Sequence, residues 1–389
     1  MVEWRTCTLG EIGEIIGGAT PSTKKLENYG GDISWITPKD LADFKGRYIE
    51  HGERNITKNG FNSCSVKMLP KNSILFSSRA PIGYLAIAKK EMCTNQGFKS
   101  FIPGENIDYL FAYYLLKYNK NKIESMGSGT TFKEVSGKTM KSIEVRIPDD
   151  IEYQRMISRV LGSIDDKIEL NEKINDNLEK QAQLLFDDFF FNRDALPSKW
   201  KRGSLLDIAN YLNGLAMQKY RPLENQEGIP VLKIKELRQG MCDGSSELCS
   251  SDIKPEYIVS DGDVIFSWSG SLLVDFWCGG KCGLNQHLFK VTSSKYDKWF
   301  YYAWTKHHLN NFIALAAAMA TTMGHIKRGD LAKSEVLIPS DEDYGYISSI
   351  LQPMYDFMIS NRVENVRLAS LREKLLLKLM SNKIDLSEV

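Results

Sequence analysis

The sequence predicts an α+β protein built as an internal repeat, in which two similar mixed domains are each followed by a long amphipathic helix. Three observations carry this expectation. WRTCTLGEIGEIIGG from Trp4 matches WKRGSLLDIANYLNG from Trp200, with Leu9/Leu205, Ile12/Ile208 and Gly18/Gly214 in register. The correspondence continues through SILFSS and DVIFSW, TNQGFKSF and LNQHLFKV, and GSGTTFKEVSGKTMKSIEVRIP and AMATTMGHIKRGDLAKSEVLIP. Two further stretches repeat apolar residues at steps of three and four, the spacing of a helix face.

The elements follow in chain order. Residues 1–150 form the first domain, where the short β-branched and aromatic runs SILFSS and YLAIAK read as strands and IDYLFAYYLLKYNKNKIESM reads as a helix. Residues 151–194 form the first long helix. Its seam runs Ile157, Leu161, Ile164, Ile168, Asn171, Asn175, Leu178, Ala182, Leu185, Phe189. Residues 195–340 form the second domain, with DVIFSW as a strand and KWFYYAWTKHHLNNFIALAA as a helix. Residues 341–389 form the second long helix, whose seam runs Ile347, Leu351, Met354, Met358, Asn361, Asn365, Leu368, Arg372, Leu375, Leu379. Both seams are interrupted by two asparagines at the same places. A polar residue on a seam costs stability and pins register, because slipping the helices leaves a buried amide unpaired.

Charge and chemistry narrow the function. The net charge of +1 hides an uneven distribution. Residues 1–150 carry 21 Lys+Arg against 17 Asp+Glu and residues 195–340 carry 17 against 14, whereas 151–194 carry 6 against 10 and 341–389 carry 6 against 8. Two mildly basic bodies alternate with acidic helices, which permits nucleic-acid binding. No GxxxxGK[ST] loop, GxSxG elbow or HExxH helix is present, so no catalytic residue, metal site or cofactor is expected. Asp165, Asp166 and Lys167 sit on the heptad helix and read as a solvated face rather than part of a nuclease metal site. The 7 cysteines lack paired CxxC spacing and read as loop or core thiols. The longest apolar run, Phe312 to Ala320, is too short to span a bilayer and the N-terminus has no signal-like segment, so a soluble cytoplasmic protein is expected.

The order domain, long helix, domain, long helix, with TNQG and LNQH, the IP endings of both domains and EYQRMI at the start of the first helix, resembles the specificity subunit of type I restriction-modification systems. The second long helix departs from the pattern, starting with DYGYIS. The resemblance implies that each domain is a target recognition domain reading one half of a bipartite, asymmetric double-stranded DNA sequence. It implies that the helices pack as an antiparallel coiled coil with a pseudo-two-fold repeat. It also implies two DNA methyltransferase subunits as partners and, through the complex, restriction subunits, with no catalysis by the chain itself. Antiparallel packing about a pseudo-two-fold axis faces Asn171 with Asn365 and Asn175 with Asn361, so that amides meet amides and apolar residues meet apolar ones. The coil is then a ruler between two readers.

Phosphate contacts come from basic loop residues, and base contacts from side chains that reach a groove. The candidates in the first domain are Lys24, Lys25, Lys39, Arg79, Thr130, Thr131 and Lys133. In the second they are Lys219, Arg221, Lys235, Arg238, Thr321, Thr322, His325, Lys327 and Arg328. Asn95-Gln96 and Asn285-Gln286 recur and are expected to fix the fold, since residues that read two different half-sites should differ between halves. The alternative, a coiled-coil scaffold that binds protein partners without DNA readout, leaves the duplicated basic domains without a reason.

Overall fold

The computed structural model describes residues 2–79, 81–129, 133–192, 195–318 and 325–386. The chain divides into two compact units, Met1–Asp166 with Ala369–Val389, and Lys167–Leu368. The long helices Ile151–Phe190 and Asp341–Met380, 40 residues each, contribute a segment to both. The class is α+β, as the sequence predicts. Among the described residues no helix is long and apolar enough to cross a membrane.

In the first unit a short helix, Leu9–Ile12, turns the chain into the sheet. The Thr8 N–H donates to Glu11 Oε2 at 2.5 Å, a reciprocal cap that starts the helix at once. The five-stranded sheet runs in the order Gly13–Gly17, Lys99–Pro103, Ile74–Ser78, Ile82–Ala88, Tyr48–Ile49. All neighbours are antiparallel except the last pair. Trp4–Thr8 pairs separately with Glu144–Pro148, which closes the start of the domain on its end. The helix expected over IDYLFAYYLLKYNKNKIESM is two helices, Tyr109–Tyr118 and Lys120–Ser125. The break falls at Asn119, whose side-chain amide and backbone N–H both donate to the Leu115 carbonyl, at 2.8 and 3.1 Å. Phe111, Tyr114, Leu115 and Leu116 pack there in one buried core with Ile157 and Leu161 of the first long helix and Leu376 and Leu379 of the second.

The expected solvated face at Asp165 is corrected by this unit. Asp165 is 4% exposed. It accepts from the Tyr114 hydroxyl at 2.6 Å and is ion-paired with Arg372, the arginine that takes a seam position in the second long helix. Burial works against the Arg372 charge, yet Asp165 and Glu373 hold its pKa above the ordinary guanidinium value. Burial, and then the Asp165 charge, push the Tyr114 phenol up. Sequence spacing put this carboxylate beside the seam but gave no sign that a domain helix closes over it. Asp166 and Lys167 follow the expectation, both being exposed, Asp166 while it pairs with Arg47 and Lys167 while it pairs with Glu364 at 3.3 Å.

The second unit repeats the plan. Ser204 and Asp207 cap the helix Leu205–Ile208 as Thr8 and Glu11 do, with Ser204 N–H donating at 2.7 Å. Its four-stranded sheet has the matching order Asn210–Asn213, Leu288–Thr292, Val264–Ser267, Leu273–Phe276, all antiparallel. Lys201–Ser204 pairs with Glu335–Ile338. A second sheet, Leu248–Ser250, Gly228–Leu232, Cys282–Leu284, Ile258–Val259, elaborates this unit. The helix Lys298–Ala318 lays Trp299, Phe300, Tyr302 and Trp304 into a core shared with Phe186, Phe190, Ile347, Leu351 and Met358 of the long helices.

Within this unit the two long-helix segments run antiparallel. Asn171 donates to Asn365 Oδ1 at 2.8 Å, and Asn361 donates to Asn175 Oδ1 at 2.9 Å. Asn171 also donates to Glu364 at 2.7 Å, Asn175 to the Met358 carbonyl at 3.2 Å and Asn365 to the Ile168 carbonyl at 3.3 Å. Asn171, Asn175 and Asn361 are buried.

Removing the guanidinium in Arg372→Met leaves the Asp165 carboxylate buried beside Tyr114 without its cation, which is expected to cost the first unit roughly 3 kcal/mol. Hydrogen exchange across Tyr109–Tyr118 should accelerate. Adding Asp165→Asn should recover much of the loss; equal protection in wild type and Arg372→Met would refute the buried pair.

Candidate nucleic-acid interface

Each unit builds the same crest from three loops. The first follows the strand Ile74–Ser78, where the buried Ser77 hydroxyl donates to the Pro81 carbonyl at 2.7 Å and accepts from the Tyr84 N–H at 2.8 Å. In the second unit Ser267, after Val264–Phe266, donates to the Ser271 carbonyl at 2.9 Å. The loop is thus pinned from beneath in both.

The second loop holds the recurring Asn-Gln. Asn95 Oδ1 accepts from the Gly97 N–H at 2.8 Å, and Asn285 Oδ1 from the His287 N–H at 3.2 Å. These amides fold the loop back on itself, as expected of residues common to both halves. The recurring glycines explain themselves at the same place. A Cβ on Gly18 would lie 2.1 Å from the Asn95 carbonyl oxygen, and one on Gly214 2.2 Å from that of Asn285. Only glycine lets the preceding strand run against the loop this closely.

The third segment crosses the first. Val135 N–H donates to the Ser78 carbonyl and Ile326 N–H to the Trp268 carbonyl, both at 3.0 Å, and Arg79 bridges Glu134 as Ser269 bridges His325. Beside the crest, a short turn in each unit carries an exposed lysine. Trp35–Ile36 runs parallel to Cys93–Thr94 and leads into the turn Pro38–Leu41 with Lys39; Val231–Leu232 runs parallel to Gly283–Leu284 and leads into the helix Ile234–Gln239 with Lys235. Asp40 accepts from the Thr37 N–H at 2.7 Å and Glu236 from the Lys233 N–H at 3.2 Å, so the two lysines occupy one matched position.

The side chains standing on this shared frame differ. In the first unit Glu134 lies 3.5 Å from Arg79 and 3.2 Å from Lys99, a charged group. In the second, His287 is held with Nδ1 3.0 Å from Ser269 Oγ and Nε2 3.3 Å from Gln286 Nε2. The Trp268 ring lies 6.0 Å from that of His287, 5.3 Å from His325 and 5.7 Å from Phe289, and its N–H donates to Asn213 at 2.9 Å. His325 Nδ1 is buried with no partner among the described residues.

Several sequence-derived candidates therefore fall on the crest and others beside it. Arg79, Lys133 and His325 belong to its loops, with Lys133 exposed next to Glu134 and His325 half-buried. Lys39 is exposed and paired with Glu53 at 2.7 Å; Lys235 is exposed, with Ser245 at 2.9 Å and Asp243 at 3.8 Å. Arg238 shares the helix of Lys235, and Lys327 and Arg328 stand exposed where the helix Arg328–Lys333 begins. Lys24 and Lys25 lie in an exposed loop before the turn Leu26–Asn28, and Lys219 and Arg221 stand at the end of the turn Met217–Lys219. Thr130, Thr131, Thr321 and Thr322 lie outside the described residues. Sequence reasoning missed Lys99, Trp268 and His287, whose signal was present in the differences at aligned positions. Among the described residues no cluster of His, Cys, Asp and Glu is placed to hold a metal.

Comparison with known proteins is consistent along the chain. The family model described as type I restriction modification DNA specificity domain matches residues 1–180 and again 197–367. The MjaIX specificity subunit of Methanocaldococcus jannaschii is 34% identical over 414 aligned positions, covering 100% of this chain and 95% of that one. The EcoR124I/EcoR124II specificity subunit of Escherichia coli is 32% identical over 50% of this chain and 48% of its own length. The crystal structure of the type I restriction-modification S subunit from M. genitalium shares the fold at a TM-score of 0.62 and 15% identity, covering 97% of this chain and 96% of that one.

The glycine contacts generate a paired test. Gly18→Ala is expected to cost about 1–3 kcal/mol by overpacking against a backbone carbonyl and to speed amide exchange in residues 93–98. Gly214→Ala should do the same in residues 283–288. Unchanged exchange in both variants would show that the loops do not depend on this close approach.

Proposed function

The chain belongs to the type I restriction-modification DNA specificity family, and on that premise we propose that its two units read the two halves of a bipartite, asymmetric duplex target. Methyltransferase subunits, two per chain, dock on the repeated helices, and restriction subunits join through them. The chain supplies recognition and its partners supply chemistry. The observation that carries this reading is the duplication itself: one frame occurs twice, pinned by the same serine, asparagine and glycine contacts, with different side chains on its crest. A symmetric pair of readers would call for identical crests. A scaffold without DNA readout would have no use for a frame held constant beneath a surface that varies.

Exposed basic residues on and beside the crest, Lys39, Lys133, Lys235, Lys327 and Arg328 among them, suit phosphate contacts that fix position without reading sequence. Lys24, Lys25, Lys219, Arg221 and Arg238 extend the same role outward, and the threonines 130, 131, 321 and 322 are kept as candidates for it.

The paired amides support a ruler in the helices. Asn171 donates to Asn365 and Asn361 to Asn175 in this register, and a slip by one turn would set one amide of each pair against leucine, isoleucine or methionine. A helix of 40 residues is about 60 Å long. On this reading the number of helical residues sets the length of the unread spacer in the target.

Two outcomes are expected. Exchanging residues 1–150 for the matching domain of a relative should change one half of the methylated sequence and leave the other intact, as read by sequencing methylated sites; joint change of both halves would end the modular reading. Four residues inserted after Asn175 add about 6 Å of helix. Such a variant should select the same half-sites with a longer spacer, or lose specific binding when the second helix does not re-register. An unaltered target bound with undiminished affinity would remove the ruler.

A further inference from the structure

The two crests can be subtracted from one another. Residues identical in role at matched positions hold the frame, and what remains after the subtraction is what a reader of two different half-sites must vary. Ser77 with Ser267, Asn95 with Asn285 and Gly18 with Gly214 drop out as frame. Lys39 and Lys235 also drop out: they are one exposed ammonium in one place, suited to a group that every DNA sequence presents.

The remainder is chemically divided. At one bridge position the first unit places Arg79 against Glu134 while the second places Ser269 against His325. Where the first unit has Gly97, the second has His287; where the first has Ser78 and Lys99, the second has Trp268 and Phe289. The first crest therefore ends in a guanidinium and an ammonium sharing one carboxylate. The second ends in two imidazoles against an indole face, with His325 Nδ1 buried and unsatisfied among the described residues. An arginine fork matches the O6 and N7 acceptors of guanine. Imidazoles offer single donors or acceptors to base edges, and an indole face gives apolar contact of the kind that distinguishes a thymine methyl.

We propose that base reading is carried by Arg79, supported by Lys99, in the first unit and by Trp268, His287 and His325 in the second, with Lys39 and Lys235 as the matched phosphate contacts. The proposal rests on the reading of the units as two half-site readers. It assigns the asymmetry of the target to a handful of side chains on a symmetric frame: a guanine-directed, charge-assisted contact in one half-site and imidazole and indole readout in the other.

The experiment uses the full chain assembled with its methyltransferase subunits and a randomised duplex DNA library, with bound sequences recovered and counted. Arg79→Ala should lower discrimination at a guanine of one half-site by roughly 10- to 100-fold and leave the other half-site unchanged. Arg79→Lys, which keeps the charge and loses the fork, should lose the same discrimination at near wild-type overall affinity. His287→Ala and His325→Ala should relax only the opposite half-site. Lys39→Ala should weaken binding to all sequences alike and lower the slope of log affinity against log salt by about 1. Uniform loss without a change of preference in the arginine and histidine variants, or retained wild-type preference in them, overturns the assignment. If the wild-type complex itself recovers no bipartite sequence, the half-site reading fails as well; a bipartite wild-type target untouched by Arg79→Ala and His287→Ala removes this inference alone.

Discussion

A side-chain amide buried on a helix seam must find partners or carry an uncompensated desolvation cost. That constraint governs the helical part of this protein. Asn171, Asn175 and Asn361 are buried where leucine would pack with less risk; amide meets amide and the surplus donors reach the Met358 and Ile168 carbonyls and Glu364, while Asn171 Oδ1 stays buried with no partner among the described residues. Apolar residues accept many registers at similar energy, whereas only one register faces every amide with an amide. The helices trade some stability for a fixed alignment, and a fixed alignment has value where the count of residues along the helix carries information.

The same separation of roles recurs in the globular units. Ser77, Asn95 and Gly18 act on backbone atoms, and so do Ser267, Asn285 and Gly214. Because the pins touch backbone rather than neighbouring side chains, residues on top of the crest are free to change without disturbing what holds it. Arg79 and Ser269 stand on equivalent backbone for this reason. On the proposed reading this makes recognition evolvable, since substitutions that alter readout need not alter the fold.

The repeat, the mixed class, the long helices and the amide pairing were legible in the sequence because each is local or periodic, and Trp4 with Trp200 and Asn171 with Asn361 announce themselves by spacing. Asp165 was not legible. It stands beside the apolar seam in a run of charged residues, and its burial is created by Tyr114, 51 positions earlier, and by Arg372, 207 positions later. The equivalence of Lys39 and Lys235 was equally hidden, since ITPKDL and LKIKEL share too little for alignment and become one position only through parallel pairing with Cys93–Thr94 and Gly283–Leu284. The break at Asn119 was visible in composition and overlooked because the apolar pattern continues through it. Long-range burial and register are the two quantities that a linear reading does not contain.

The near-zero net charge fits the proposed role better than a strongly basic surface would. Lys39 pairs with Glu53 and Arg79 with Glu134, and these partners are themselves accessible to solvent. Exposed pairs of this kind contribute at most about 1 kcal/mol, so exchanging the carboxylate for a phosphate or a base edge costs little. In the proposed role the free protein, presenting a weak field, would hold non-specific DNA poorly and avoid being sequestered on the wrong sequence. On that reading affinity comes from both half-sites and the attached subunits together. Recognition built this way is selective because neither unit, with its modest local surplus of positive charge, is expected to bind tightly by charge alone.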